Sequence, residues 1–528
     1  MPTPQRAFNL TFNNQYILQL PADSQSENFS RQVEHAAYSF VTPKKTHAPR
    51  VVAVNEPLAQ QLGFSLDDLQ AKNIANVLTG NEVVDGMQPY AMNYGGHQFG
   101  QWAGQLGDGR AINLGQVQTE NQGLQTLQLK GAGQTPYSRH ADGLAVLRSS
   151  LREYLCSEAM YHLGISTTRA LSLCLTGDKV TRDMFYDGHP KEELGAVVCR
   201  VSPSFLRFGS FQLPAMRQDK KLLKQLVDFS IEQNFAHLGP PSVDVYIRWF
   251  DEISKKTCQL MVDWMRVGFV HGVMNTDNMS ILGETIDYGP YGWIDAFDLR
   301  WTPNTTDAQG KRYCFGAQPE IAQWNLFQLG NAIYSLINDA EPLNKILNDY
   351  AVMYEQLWLE MMQKKLGFDE LIRECDAELF TRLEKLMSEE QVDMTIFYRL
   401  LSSMPEQSDL WLTHFLPCFY DENALPKAYV TSFSCWLSDY QQRLLNNSIS
   451  VIERKKQMDL VNPKYVLRNY LSQQAIEMAE QGDYSMIYQL QKVLQQPYSE
   501  QPEFEHFAVK RPDWAKNKAG CSMLSCSS

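Results

Sequence analysis

The sequence predicts an α+β fold made of two lobes, a small β-rich lobe followed by a helical lobe. Residues 90–205 are rich in glycine and aromatic residues and contain stretches in which apolar and polar residues alternate, as they do in strands. From residue 206 onward, apolar residues recur three or four positions apart, which indicates helices. No repeat is visible at a period of about 20 to 50 residues, so neither a solenoid nor a propeller is expected.

Residues 1–89 form a predicted N-terminal extension with two helical signals, NEPLAQQLGF (55–64) and SLDDLQAKNIANVLTG (65–80). In the β-rich lobe, the predicted strands are LQTLQLKGAG (124–133) and GAVVCRVS (195–202). Between them, SSLREYLCSEAMYHLGI (149–165) is a predicted helix, because Ser150 and Glu153 have the spacing of a capping box in its first turn.

The helical lobe is expected over residues 206–400, and its clearest helix is KLLKQLVDFSIEQNFAHLG (221–239). Nearly every segment after about residue 317 has the same periodicity. Residues 401–528 are a predicted helical C-terminal extension, which closes with YSMIYQLQKVLQQPY (484–498) and a tail that contains cysteine.

Composition limits the classes of partner. The chain has 528 residues and a formal net charge of -13, which disfavours general binding to nucleic acid or to an anionic membrane. No apolar run approaches the roughly 18–20 residues that cross a bilayer, and the N-terminus lacks the apolar stretch of a signal peptide. We therefore expect a cytoplasmic protein whose partners are small molecules or other proteins, with room for a local basic pocket.

The ten cysteines include no C-x-x-C pair, which indicates reduced thiols and not a disulfide framework. Cys156, Cys174 and Cys199 lie in apolar contexts and are predicted core residues. Cys521 and Cys526 lie in the small, polar tail AGCSMLSCSS, where a thiol would be exposed and reactive. An inert, disordered tail is the alternative.

The segment HGVMNTDNMSILGETIDYG (271–289) is similar to the catalytic stretch of kinases of the aminoglycoside type, in which H-G-D is followed by an Asn and then by D-x-G. Asn278 and Asp287 stand at the positions of two oxygen donors that suit magnesium. Val273 replaces the catalytic aspartate. Asp277 is the only nearby carboxylate that could act as the base, and it could equally be a group that orients the metal.

Several other residues suit the binding of a triphosphate. Lys130 alternates out of the core of its strand and could pair with Glu153, as a strand lysine and a helix glutamate do in protein kinases. The alternative is a solvated lysine and a helix cap. In the turn GDGR, Gly107 and Gly109 allow close approach of a ligand to the backbone, although most such turns are only hairpins.

Arg200 and Arg207 occur in the apolar segment CRVSPSFLRFGSF. An arginine in such surroundings should be paired. A nucleotide phosphate and an internal salt bridge are equally suitable partners.

Seven motifs together resemble the selenoprotein O family of protein adenylyltransferases, over a range from about residue 35 to the C-terminus. They are YGGHQFGQWAGQLGDGRA, LQLKGAGQTPYSRHADG, SSLREYLCSEAM, CRVSPSFLRFGSF, HGVMNTDNMSILGETIDYGP, FGAQPEIAQWNLFQLG and the closing CSS. This resemblance implies a protein-kinase-like fold that binds ATP in a reversed orientation. It also implies transfer of AMP to Ser, Thr or Tyr side chains of proteins, release of pyrophosphate, and a requirement for Mg²⁺ or Mn²⁺.

The resemblance assigns roles by motif. It implies that Lys130 and Glu153 form the supporting ion pair, that Arg200 and Arg207 hold the phosphates, and that Asp277 accepts the proton. It further implies metal ligands and nucleotide contacts; the ligands are Asn278 and Asp287, and the contacts are Gly107, Gly109, Arg110, Lys130, Asp142, Gly143 and Asp287.

Cys526, third from the end, stands at the selenocysteine position of that family, which implies redox chemistry by a thiolate and a role in redox homeostasis. Some bacterial members are thought to pair this cysteine with one that follows the D-x-G motif. Here Cys314 is the only cysteine in that segment, so a disulfide between Cys314 and Cys526 is a hypothesis.

Three other functions remain open from the sequence. The first is a kinase in which Asp277 is the base and the γ-phosphate is transferred. The second is transfer of UMP from UTP with manganese. The third is a nucleotide-sensing protein without catalysis that binds a partner through its helical extension.

Overall fold

The computed structural model describes residues 8–185 and 187–525. The strands are β1 (Tyr38–Phe40), β2 (Arg50–Val54), β3 (Tyr90–Met92), β4 (Gly95–Gln98), β5 (Gln101–Gln105), β6 (Ala111–Gln118), β7 (Leu124–Lys130), β8 (Ala145–Val146), β9 (Arg169–Arg182), β10 (Lys191–Ser202), β11 (Phe269–Val270) and β12 (Gly292–Trp293). The helices are α1 (Gln15–Gln19), α2 (Glu56–Leu62), α3 (Leu66–Leu69), α4 (Ile74–Thr79), α5 (Leu147–His162), α6 (Phe208–Met216), α7 (Lys220–Asn234), α8 (Val243–Val267), α9 (Gln318–Ile337), α10 (Glu341–Lys365), α11 (Arg373–Glu389), α12 (Met394–Leu401), α13 (Trp411–Phe415), α14 (Lys427–Leu444), α15 (Val451–Val461), α16 (Asn469–Glu480) and α17 (Ser485–Leu494).

One large sheet dominates the first 205 residues, and helices dominate the rest, so the predicted α+β class is confirmed. The strand order is β1-β3-β6-β7-β10-β9-β2, with β8 paired to β10. The pairs along this path are antiparallel. The outermost strands, β1 and β2, come from the predicted N-terminal extension, so that segment supplies both edges of the sheet.

Helices cover the sheet on both faces. On one face, α2 and α4 pack against inward side chains of β7 and β10, including Leu127, Leu129 and Cys199. On the other face lies α5, whose core continues into α7, α8, α9, α16 and α17. A separate core joins α10 to α14. Strands covered on both faces are buried, and this explains why Cys174 on β9 and Cys199 on β10 are fully buried as predicted. Cys156, on α5, is buried as predicted because its helix packs between the sheet and the other helices.

The helix predicted at 149–165 begins earlier than expected. It starts at Leu147 because β8 leads directly into it, and Val146 is its N-cap residue without a side-chain hydrogen bond. The capping box predicted at Ser150 and Glu153 is therefore wrong. Both residues lie inside the helix and are buried, so Glu153 is available for contacts across the sheet.

The register of the central strands brings polar side chains together. Asn113 on β6 lies opposite Gln128 on β7, and Gln128 lies opposite Arg200 on β10. Side chains that are direct cross-strand partners share a face of the sheet. Lys130, two residues from Gln128, shares that face as well, so the sheet presents its polar residues in one patch.

The described part of the tail, which ends at residue 525, contacts the rest of the protein. The backbone of Leu524 bonds to Pro303 and Thr305, at 2.9 Å and 2.8 Å. Cys521 is buried, which raises the pKa of its thiol to about 11, so the prediction of an exposed and reactive Cys521 is wrong. Cys526 lies outside the described residues, and its redox role stays a prediction; Cys314 is buried. Within residues 8–185 and 187–525, no helix has the length and apolarity that a membrane crossing requires.

Glu284 gives the fold a specific pH dependence. Its carboxylate accepts a hydrogen bond from Ser202 Oγ at 2.7 Å, and burial raises the pKa of Glu284 from 4.5 to about 7. Between pH 4.5 and about 7, Glu284 therefore keeps its proton in the folded state and loses it in the unfolded chain. The resulting stabilisation is complete below pH 4.5 and is lost as the pH rises through 7.

We expect Glu284→Gln to remove this titration. The free energy of unfolding of the wild type, relative to that of the variant, should fall between pH 4.5 and 7 and then stay constant. Urea unfolding curves of both proteins across this range measure the difference. A difference that does not change with pH would contradict the prediction.

Candidate functional site

A cleft of about 690 Å³ opens between the polar face of the sheet and the segment that carries the 271–289 motif. It exceeds the two other main cavities described, of about 370 and 250 Å³. Its lining includes ten of the residues predicted from the sequence: Gly107, Gly109, Arg110, Lys130, Asp142, Gly143, Arg200, Asp277, Asn278 and Asp287. Glu153 and Arg207 are not part of this lining, and Cys526 lies outside the described residues.

The charge of the cleft differs from that of the whole chain. Five cationic side chains line it, namely Arg110, Lys130, Arg139, Arg182 and Arg200. Four carboxylates line it, namely Asp108, Asp142, Asp277 and Asp287. A chain with a net charge of -13 thus has a cleft with a surplus of one positive charge, which suits an anionic ligand.

Lys130 is held rigidly at the end of β7. Its Nζ lies 2.5 Å from Glu153 Oε2 on α5 and 3.9 Å from Asp287 Oδ1. Burial lowers the pKa of Lys130, and the charge of Glu153 opposes this effect. The lysine is therefore a buried, paired cation and not a solvated one.

Arg200 and Arg207 converge on one carboxylate. Arg200 Nη1 lies 2.5 Å from Asp287 Oδ1 and 2.9 Å from Glu153 Oε1, and Arg207 Nη1 contacts Asp287 Oδ2. Burial would raise the pKa of Asp287, but the charges of Arg207, Arg200 and Lys130 outweigh it and hold the pKa well below its usual range. A nucleotide phosphate and an internal salt bridge were the two partners expected for these arginines. The structure shows the internal salt bridge.

The backbone conformation of the D-x-G segment directs the carboxylate of Asp287 toward the arginines. Asp287 has a φ of +57°, which is uncommon for a residue other than glycine. The segment is also tied to the H-G pair: His271 Nε2 donates to the carbonyl oxygen of Ile286 at 2.8 Å. A Cβ on Gly272 would lie 2.3 Å from the carbonyl oxygen of Pro290, so only glycine fits between the two segments.

Asp277 and Asn278 lie on a short 3₁₀ turn, Thr276–Asn278, beside the cleft. Asn278 Nδ2 donates to the carbonyl oxygen of Val273 at 2.8 Å, which fixes the amide. Asp277 Oδ2 accepts a hydrogen bond from Gln98 Nε2 at 3.3 Å, while Oδ1 has no partner among the described residues. Burial raises the pKa of Asp277 to about 6.

The hairpin β4–β5 packs closely on this turn. A Cβ on Gly96 would lie 2.6 Å from Asp277 Oδ1, so this position requires glycine. Three successive residues of the hairpin contact the loop: His97 N donates to Thr276 Oγ1 at 2.7 Å, Gln98 binds Asp277, and Phe99 N donates to Asn275 Oδ1 at 3.2 Å.

The glycine turn forms the opposite rim. Gly107 has a φ of +70°, and a Cβ there would overlap Tyr137, so glycine is required. Gly143 lies against Gly133, where a Cβ would come within 2.1 Å of the carbonyl oxygen. Asp142, expected from the resemblance to contact the nucleotide, pairs with Arg182 at 2.7 Å and is about half exposed.

Three polar residues support the site and were not predicted. Gln128 Oε1 accepts from Arg200, and Gln128 Nε2 donates to Asn113 Oδ1 at 3.0 Å. Asp108 Oδ2 accepts from the backbone of Met92 at 3.0 Å. Gln98 holds Asp277. The alternation of β7 already placed Gln128 on the same face as Lys130, which was an available signal, whereas nothing in the sequence linked Gln98 to Asp277.

Asn278 and Asp287 are the residues that could hold a divalent metal ion. They offer amide and carboxylate oxygens at one wall of the cleft, and both oxygens of Asp287 contact arginines in this structure. No group of three or more His, Cys, Asp or Glu side chains that could hold an ion unaided occurs in the described ranges. An ion at this wall would need further ligands, such as the phosphate oxygens of a nucleotide.

Comparison with known proteins decides the family. The family model described as protein adenylyltransferase SelO matches residues 23–495. The chain belongs to the SelO family. Membership confirms the resemblance and the enzyme class, a nucleotidyltransferase with a nucleotide and proteins as its substrates.

Curated relatives match almost the whole chain. The protein nucleotidyltransferase YdiU of Rhodopirellula baltica is 52% identical over 541 residues, which covers 99% of this chain and 100% of the relative. The YdiU proteins of Tolumonas auensis and Aromatoleum aromaticum are 53% and 52% identical. Each alignment covers 98% of this chain, with 99% and 100% of the respective relative. The similarity therefore extends over almost the full length of these relatives and is not confined to one domain.

We expect Asp287→Asn to destabilise the free protein strongly. The substitution leaves Arg200, Arg207 and Lys130 without their shared counter-charge, and breaking a buried ion pair typically costs about 3–5 kcal/mol. Urea unfolding followed by circular dichroism measures the loss. Asp142→Asn is the matched control, because the pair of Asp142 with Arg182 is half exposed and should contribute no more than about 1 kcal/mol. Equal losses in the two variants would contradict the central role of Asp287.

Proposed function

We propose that the protein is a metal-dependent adenylyltransferase of two-lobed, protein-kinase-like fold that transfers AMP from ATP to Ser, Thr or Tyr hydroxyls of proteins. Residues 90–205 would form the β-rich lobe and residues 206–400 the helical lobe, with extensions at 1–89 and 401–528. The observation that carries the proposal is the buried convergence of Lys130, Arg200 and Arg207 on one carboxylate in a cleft of surplus positive charge.

In this proposal, the triphosphate lies with its β- and γ-phosphates toward the cationic cluster and its α-phosphate toward Asp277. Val273 supports this orientation, because the residue at the position of a kinase base has an apolar side chain that cannot accept a proton, and Asn278 already binds its backbone carbonyl oxygen. A kinase that transfers the γ-phosphate needs a base beside that phosphate. In this loop the carboxylate belongs to Asp277, four residues after the position at which a kinase has its base.

The reaction follows from these positions. The acceptor hydroxyl oxygen forms a bond to the α-phosphorus, and the bond from this phosphorus to the oxygen that bridges to the β-phosphate breaks. The hydroxyl proton passes to Asp277, and pyrophosphate leaves with the bonding electron pair. Lys130 and the two arginines stabilise the charge that develops on pyrophosphate. An ion of Mg²⁺ or Mn²⁺ held by Asn278 and Asp287 would neutralise charge on the phosphate oxygens.

Asp277 lies where the proposal needs a general base. Its side chain lines the cleft, and burial raises its pKa to about 6, close to the value that suits a base near neutral pH. The carboxylate is held in place, because Gln98 binds Oδ2 and Oδ1 is buried against Gly96.

We also propose that the protein is located in the cytoplasm. Nine described cysteines are unpaired, which favours a reducing environment such as the cytoplasm.

Labelled nucleotides test the reaction. With an acceptor protein and Mg²⁺, we expect covalent label from ATP labelled on the α-phosphate and none from ATP labelled on the γ-phosphate, because only the AMP moiety is transferred. Label from the γ-phosphate alone would assign a kinase, and the absence of any covalent product would assign a nucleotide-sensing protein. A parallel reaction with α-labelled UTP and Mn²⁺ measures the preference for the base.

Two substitutions separate binding from chemistry. Lys130→Met should weaken phosphate positioning, and Asp277→Asn should remove the proton acceptor while leaving the cationic cluster intact. We expect the transfer rate to fall at least ~100-fold in each, the usual scale for removal of one such group. Equilibrium dialysis with ATP should show weaker binding for Lys130→Met and nearly unchanged binding for Asp277→Asn. Unaffected rates in both variants would reject the assignment.

A further inference from the structure

An aromatic surface borders the catalytic loop on the side of the β4–β5 hairpin. Phe99 at the tip of the hairpin is 36% exposed, and Phe327 on α9 is 45% exposed. Beside them, His97 lies 5.1 Å from Trp102 and 5.5 Å from Trp324, measured between ring centroids. The ring of Phe99 contacts Tyr313, and Phe327 follows Trp324 by one turn of α9. A group of neighbouring aromatic residues of which some are exposed suits an interaction surface.

A single cation lies within this surface. The guanidinium carbon of Arg312 lies 4.8 Å from the ring centroid of Trp324 and 3.5 Å from the position that a Cβ on Gly100 would take. Its Nε is buried without a hydrogen-bond partner among the described residues. The carboxylate of Asp307 accepts hydrogen bonds from the backbone of Arg312 and Tyr313 and acts on the guanidinium electrostatically. An arginine that is stacked on an aromatic ring and has an unpaired donor is suited to bind a carboxylate of a partner.

The surface is joined directly to the residues proposed for catalysis. Asn325, the neighbour of Trp324, donates from Nδ2 to the carbonyl oxygen of Met274 at 2.9 Å. On the other side, Gln98 of the hairpin binds Asp277. Any protein acceptor must bring its hydroxyl to Asp277, so part of that acceptor must lie on the protein surface next to this residue. The glycine turn and the Asp142 rim are assigned to the nucleotide, which leaves the hairpin and α9 for the acceptor.

We propose that the surface formed by His97, Phe99, Trp102, Arg312, Trp324 and Phe327 docks the segment of the acceptor protein that carries the hydroxyl group. The aromatic residues bind an apolar side chain of that segment, and Arg312 binds an Asp or Glu near the acceptor residue. This inference rests on the proposed function, because it assigns the protein substrate of the same site.

A peptide array tests the docking surface. Synthetic peptides with one Ser, Thr or Tyr, flanked by apolar residues and by either Glu or Lys, are incubated with the full chain, Mg²⁺ and α-labelled ATP. The wild type should label the Glu peptides about 10-fold more efficiently than their Lys counterparts, the scale of one favourable charge contact at an interface. Arg312→Glu should reverse this preference, and Arg312→Gln should abolish it.

Phe327→Ser should raise the KM for the apolar-flanked peptides about 10-fold, as for loss of one well-packed interface side chain. Its kcat and the KM for ATP should stay unchanged, since Phe327 does not line the nucleotide cleft. Tyr334→Ser is the matched control, because it removes a 46% exposed aromatic residue of the same helix about 10 Å further along. Its kinetic constants should equal those of the wild type.

The outcomes separate this inference from the function on which it rests. If the wild type labels no peptide and no protein, the proposed function fails and the docking surface fails with it. If peptides are labelled but Arg312→Glu and Phe327→Ser leave preference and KM unchanged, only the docking surface is overturned. A change in oligomeric state of Phe327→Ser on size-exclusion chromatography, with an unchanged peptide KM, would assign the surface to contacts between copies of the chain and also overturn the inference.

Discussion

The site depends on one interaction, the double ion pair in which the buried Arg200 and Arg207 share the carboxylate of Asp287. Three elements meet there: β10 supplies Arg200, the segment before α6 supplies Arg207, and the D-x-G turn supplies the aspartate. Buried charges are costly to desolvate, and each is tolerated only because the others are present. The left-handed backbone of Asp287 has the same explanation, since an uncommon conformation persists where the surrounding contacts over-determine it.

The same cluster explains how an acidic protein can bind a polyanion. Lys130, Arg200 and Arg207 face two carboxylates, those of Glu153 and Asp287. Without a ligand these carboxylates keep the cations in place. In the proposed complex, a triphosphate adds negative charge beside a cluster that already has a surplus of positive charge, and Arg200 and Arg207 exchange part of their contact with Asp287 for phosphate oxygens.

Much of this arrangement could be predicted from the sequence, for identifiable physical reasons. Strand alternation placed Lys130 and Gln128 on one face, and the apolar surroundings of Arg200 required a buried partner. Local patterns were less reliable at Ser150, where a sequence that matches a capping box lies inside a helix because a short strand runs straight into it. Cys521 was misjudged because tertiary packing buries its side chain although the neighbouring residues are small and polar. The pairing of Gln98 with Asp277 depends on how a hairpin folds over a loop 179 residues away, which no local pattern encodes.

The contacts that hold α5 in place limit how the activity of such an enzyme could be regulated. In protein kinases, the helix that carries the paired glutamate can be repositioned, and this controls activity. Here Glu153 binds both Lys130 and Arg200, α5 continues from β8 without a loop, and α16 and α17 pack on its outer side. Arg152 adds a hydrogen bond of 2.7 Å to the carbonyl oxygen of Tyr291. A helix held by contacts on all these sides is poorly suited to such repositioning. The structure therefore favours control through access of ligands to the cleft over control through movement of α5.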